Sequence, residues 1–95
     1  MKQLLIDGAK LQNREDLHTL AATALMLPAY YGRNLDALCD CLCEQAEPVL
    51  ITVQNKAALK QNLGRYGRAL LRMLADAAER NPNITLVIQA EMEAQ

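Results

Sequence analysis

The stretch LPAYYGRNLDALCDCLC, residues Leu27–Cys43, decides how the rest of the chain is read. It holds, in order, a helix stop, a tyrosine-bearing turn, a helix start and an acidic helical face. Pro28 disfavours helical backbone just before it, so the helical pattern upstream should end at Met26-Leu27. Gly32 tolerates a positive φ at little steric cost, and the expectation is that it takes one and holds Tyr30 and Tyr31 on a sharp turn. Asn34 is a good N-cap, because its side-chain oxygen can accept from the free N–H groups of the next turn. Leu35, Leu38, Cys39 and Leu42 then follow at i, i+3, i+4 and i+7, which predicts one buried stripe.

The opposite face of that helix carries Asp36, Asp40 and Glu44, four residues apart. Asp36 lies in the first turn, where the helix dipole favours negative charge. Asp40 and Glu44 have no such support, and like charges at i, i+4 cost about 0.2–0.5 kcal/mol each. A solvated face is the ordinary reading of this spacing. A binding surface is the sharper one, because the like charge stands beside two tyrosines.

Working outward, the 95 residues suffice for one domain and one modest core. Apolar residues make up 52% with no Phe or Trp, so Leu, Ile, Val, Ala and Met must fill that core. Charged residues are 22% and the net charge is −1, which points to neither a nucleic-acid binder nor an anionic-membrane binder. No charged leader precedes an apolar run, and no stretch approaches the roughly 20 apolar residues of a membrane span. The expected compartment is the cytoplasm. Cys39, Cys41 and Cys43, an odd and local set, suit it, since they make a poor disulfide framework.

Leu4-Leu5-Ile6, ended by Asp7-Gly8, reads as a strand. Asn13 caps a first helix, with Asp16 three residues on as an imperfect capping box and Leu17, Leu20, Ala21 and Ala24 as its apolar stripe. His18 falls beside that stripe, and with no second His in the chain a structural role is expected. Glu47-Pro48 marks a loop before a clear strand at Val49–Val53. Asn55 opens a short third helix through Leu59, closed near Gly64. A fourth runs from about Arg68 to Arg80, with Leu70, Leu71, Leu74, Ala77 and Ala78 facing inward. Asn81-Pro82-Asn83 stops it, Ile84–Ile88 is a third strand, and Ala90 to Gln95 reads as a polar tail. Short strands, apolar on both faces and separated by helices, predict an α/β fold: a small three-stranded parallel sheet with about four helices packed against it. A single domain over residues 1–90 with a tail at 91–95 is expected.

The motif YYGRNLDALCDCL, with Leu27-Pro28 just before it, closely resembles the signature of the barstar family, small bacterial inhibitors of secreted ribonucleases. The resemblance extends over nearly the whole chain through the first strand, Asp16-Leu17-His18, and the closing Asn83–Ile88 strand. It implies the fold just described and a cytoplasmic, immunity-type inhibitor that plugs a ribonuclease active site and is a monomer when free. Carried over residue by residue, it implies that Tyr30, Gly32, Asn34, Asp36 and Asp40 face the partner, with Asp40 entering the phosphate site. Chemistry agrees, since an enzyme that grips a phosphodiester with cations can be blocked by a rigid carboxylate. From the fourth helix, Met73 and Asp76 share a face at i, i+3, and Asp76 matches an acidic family position. Two positions depart from the pattern: Cys39 stands where tryptophan is common, and Arg33 where an acid is frequent.

Other readings are weaker. Tyrosine suits an interface, but Tyr31 is equally suited to cap the edge of the core. The i, i+2 spacing sends Cys41 away from Cys39 and Cys43, so no metal site or other cofactor is expected, and Cys41 reads as a small buried hydrophobe. Cys43 borders the acidic face. No nucleophile–base set or phosphate-cradling loop is present, so the chain does not read as an enzyme. The alternative of a different class is an interaction or regulatory module that keeps this fold but binds a partner other than a nuclease.

Overall fold

The structure, a computed structural model, describes residues 1–89. Its elements run β1 (Lys2–Asp7), α1 (Arg14–Ala24), α2 (Leu35–Cys43), β2 (Val49–Gln54), α3 (Lys56–Leu63), α4 (Arg65–Arg80) and β3 (Ile84–Ile88). The strands pair in the order β1-β2-β3, both pairs parallel. Parallel neighbours need long crossovers, and the two helix pairs supply them. Three parallel strands and four helices are the architecture expected from the sequence. The expected tail, residues 91–95, lies outside the described residues.

Register decides what the sheet buries. Leu4 pairs with Ile51 and Ile6 with Val53, while Val49 pairs with Ile84. These six side chains share one face and are all buried. Gln3, Leu5, Thr85 and Val87 alternate with them and are exposed. The expectation of strands apolar on both faces is therefore corrected: the sheet is packed on one side, and Leu5 and Val87 are 51% and 42% exposed on the other. Against the buried face lie Leu17 and Ala21 of α1, Leu38 and Leu42 of α2, Leu59 of α3, and Leu70, Leu74 and Ala77 of α4. Burying each such leucine contributes about 1.5–3 kcal/mol.

Three local expectations need correction. The fourth helix begins at Arg65, a turn earlier than expected. Gly64, with φ 59° and ψ −131°, serves as both the C-cap of α3 and the N-cap of α4, so no loop separates the two helices. Gly67 lets them approach, since a Cβ there would sit 2.9 Å from the Leu59 carbonyl oxygen. Asn55 does precede α3, but in a left-handed conformation and without a side-chain cap; its amide donates to Asp7 Oδ1 at 2.8 Å instead. The third correction concerns the tyrosine turn and belongs to the site.

Candidate functional site

α1 ends at Ala24, ahead of Pro28 as expected, and the chain turns through Met26, which has φ 53°. The residue with positive φ in the tyrosine turn is Arg33, at 55°, and not Gly32. Gly32 contributes space instead, because a Cβ there would lie 3.2 Å from Ala37 Cβ and 3.3 Å from Asn34 Nδ2. A left-handed arginine costs about 1–2 kcal/mol. Its side chain offsets that cost by folding back onto α1. The guanidinium reaches Glu15 Oε1 at 2.8 Å and Thr19 Oγ1 at 2.7 Å. The Arg33 charge is thus paired with Glu15 and turned along α1.

The two tyrosines separate. Tyr30 is 88% exposed, while Tyr31 is 8% exposed and belongs to the core edge. The Tyr31 hydroxyl lies 2.6 Å from His18 Nδ1, and the Tyr66 hydroxyl lies 2.6 Å from His18 Nε2. Arg14 stacks on the outer side of this chain, 5.0 Å from the Tyr66 ring centre. Burial pushes the Tyr31 hydroxyl up to about 12 and raises that of Tyr66. Burial also lowers the His18 imidazole, reinforced by Arg33 and Arg14 and opposed by Glu15. His18 is structural, as expected. Its link to Tyr66 was not legible, because it joins residues 48 apart that share no motif.

Asn34 caps α2 by accepting from the Ala37 N–H at 2.8 Å, and its amide donates to Gly32 O at 3.3 Å. Its polar atoms are therefore engaged in holding the turn. From this start Leu38 and Leu42 face inward, fully buried, and Asp36 and Asp40 face solvent. Cys39, Cys41 and Cys43 are half-buried free thiols; burial raises Cys39 and Cys41. Cys41 touches the core without being fully enclosed by it. Among the described residues, no three His, Cys, Asp or Glu side chains converge on a point.

The far end of α2 is held by a residue that the sequence marked only as a helix stop. Asn81 Nδ2 donates to Leu42 O at 2.9 Å, Cys43 O at 3.3 Å and Gln45 O at 3.0 Å. These carbonyls cluster at the C-terminus of α2, where intrahelical donors run out, and Leu42 O also accepts the Gln45 N–H at 3.2 Å. An Asn-Pro-Asn stop gives no hint of which carbonyls its first side chain will reach.

α2 and α4 pack side by side, and a groove of about 370 Å³ runs between them. Asp36 lines it from α2; Met73 and Asp76, the residues singled out on α4, line it opposite. Arg72 and Arg80 line it too and were not foreseen. Asp40 stands outside the groove on the exposed face of α2. Tyr30 sits apart, in a shallow depression with Met26, Pro28, Cys41 and Glu44. The structure thus joins Asp36, Met73 and Asp76, and leaves Tyr30 and Asp40 as separate projections.

Asp36 and Asp40 thus stand on an exposed helix capped at both ends, with Tyr30 bare on the turn before it, in a small α/β fold. The comparisons say which family that fold belongs to. The family model described as Barstar (barnase inhibitor) matches residues 1–91. The chain is also similar to a protein of Bacillus subtilis (strain 168) named "Putative ribonuclease inhibitor YrdF", at 38% identity over 80 residues, covering 83% of this chain and 88% of the relative. This chain belongs to the barstar family, whose members are inhibitors and not enzymes. No helix among the described residues is long and apolar enough to cross a membrane.

Proposed function

We propose that this protein is an intracellular, immunity-type inhibitor of a bacterial ribonuclease, and that it acts by occluding the enzyme's active site with the exposed face of α2. Family membership and the name of the Bacillus relative support ribonuclease inhibition. The observation that carries the occlusion mechanism is the pair Asp36 and Asp40, exposed on a helix whose two ends are fixed by Asn34 and Asn81. A ribonuclease holds the phosphodiester with cationic side chains, and a preorganised carboxylate replaces that anion without an ordering cost on binding. Asp40 enters the phosphate site in this reading; Tyr30, Gly32, Asn34 and Asp36 contact its rim, and Met73 and Asp76 extend the contact from α4. Cys39 in place of the family's common tryptophan removes one aromatic contact. Arg33, paired with Glu15, offers little net charge to repel a cationic cleft.

The test is a titration of RNA cleavage by barnase and other secreted bacterial ribonucleases against this chain. Stoichiometric, competitive inhibition of at least one enzyme is expected. Activity of every enzyme unchanged at excess inhibitor would remove the proposal and favour a partner other than a nuclease.

A further inference from the structure

Arg65, Arg68 and Arg72 stand at i, i+3 and i+7 on α4 and so share one face. Together with Ala69 they line a depression of about 230 Å³, and all three are exposed. The ion pair among the described residues is Arg33–Glu15, so none of these three guanidinium groups is paired with a carboxylate there. Their placement works against the free protein. Arg65 and Arg68 occupy the first turn of α4, where the helix dipole disfavours cations, and that turn holds no acidic residue. Arg68 and Arg72 are also like charges at i, i+4. No ion pair among the described residues offsets that cost, so a local rule is broken with no compensating charge in the folded chain.

The row does not stand by itself. Ala69 and Arg72 also line the groove between α2 and α4, where Asp36 and Asp76 lie. The basic row therefore continues into a groove of mixed charge, lined by Asp36 and Asp76 together with Arg72 and Arg80.

We infer that the arginine row is the basic half of the docking face, and that the partner carries a cluster of carboxylates bordering its cationic RNA cleft. The inference rests on reading the chain as a ribonuclease inhibitor and adds what distinguishes its target from other ribonucleases. Charge complementarity selects this occupant: carboxylates of Asp36 and Asp40 meet the cleft while arginines meet its acidic border. RNA is a poorer occupant. Its phosphates would approach Asp36 and Asp76 together with the arginines, and the one tyrosine on α4, Tyr66, is engaged with His18. With a net charge of −1, the molecule gains orientation on approach from this separation of charge more than from its total.

Arg68→Glu tests the inference at the centre of the row. It puts a carboxylate near the helix N-terminus between Arg65 and Arg72, so the variant should melt at or above the parent's temperature. Lost inhibition is then not lost folding. The inhibition constants of the parent, Arg68→Glu and Asp40→Ala are measured against barnase and the other secreted ribonucleases, in low and high salt. For the enzyme inhibited best, Arg68→Glu should weaken inhibition about tenfold in low salt, with the gap narrowing as salt rises. Weakening by Asp40→Ala with no change for Arg68→Glu overturns this inference and leaves the inhibitor reading in place. Failure of the parent to inhibit any enzyme overturns both. A short labelled RNA that binds the parent, but not Arg68→Glu, assigns the row to RNA and also overturns it.

Discussion

At His18 two ring nitrogens meet two tyrosine hydroxyls, and this is the arrangement a neutral imidazole can satisfy, donating from one nitrogen and accepting at the other. Protonation would force both nitrogens to donate and would place a charge in a buried site beside Arg14 and Arg33. The sign of the pH dependence follows. Folding lowers the imidazole below its ordinary 6.5, so below that pH the unfolded chain takes up the proton more readily. Stability from this group is complete above about pH 6.5 and declines as pH falls through and below that value. Asp7, held low chiefly by the Asn55 amide and the Ala9 N–H, acts with the same sign at lower pH. Melting temperatures of the parent should therefore drop between about pH 7 and pH 5, and those of His18→Gln, though lower throughout, should drop less. Parallel curves for the two proteins would show that His18 does not titrate on unfolding. A lone histidine beside an apolar stripe was readable as structural from the sequence. Its partners were not, because tertiary packing alone brings Tyr66 to it.

Among the elements, α2 shows why some of the site was legible and some was not. Its start follows from local chemistry: Asn34 caps it, and Pro28 keeps the preceding segment out of helix. Its end depends on Asn81, which comes from the far end of α4 and is 6% exposed. Removing that amide takes one donor each from Leu42 O and Gln45 O, which keep the Gln45 N–H at 3.2 Å and the Asn83 amide at 3.0 Å, so Asn81→Ala should lower stability by about 0.5–1.5 kcal/mol. Hydrogen exchange should show the added opening first in the last turn of α2. A melt unchanged from the parent would mean that water replaces the amide at no loss. The tyrosine turn illustrates the other kind of error. Glycine's conformational freedom suggested Gly32 as the left-handed residue, yet Arg33 takes that role because Glu15 and Thr19, 18 and 14 residues upstream, anchor its side chain. Local propensity cannot register such an anchor.

Over the whole molecule, short apolar strands separated by helical periodicity were enough to give the parallel sheet and the helix count. The one-sided burial was not readable, since Leu5 and Val87 carry the same residue types as the buried positions beside them. The acidic face was legible as a pattern, and its neighbours Arg72 and Arg80 became part of the site only once α2 and α4 lay side by side. In the inhibitor reading, folding and binding are carried by opposite faces of α2. Leu38 is fully buried, and Leu38→Ala should cost about 2–5 kcal/mol of stability. Asp40 is exposed, lies mid-helix away from the favourable dipole end, and is flanked by Asp36 and Glu44. Asp40→Ala should then leave stability within about 0.5 kcal/mol of the parent. If its carboxylate fills a cationic phosphate site, the same change leaves that site unpaired and should weaken binding by about 2–5 kcal/mol. The decisive measurement is the inhibition constant of Asp40→Ala against the ribonuclease that the parent inhibits best, taken beside its thermal melt. A parent-like melt is expected, with inhibition weakened by two orders of magnitude or more (about 2.8 kcal/mol). Inhibition equal to the parent's would contradict that expectation and leave the acidic face of α2 as solvated surface.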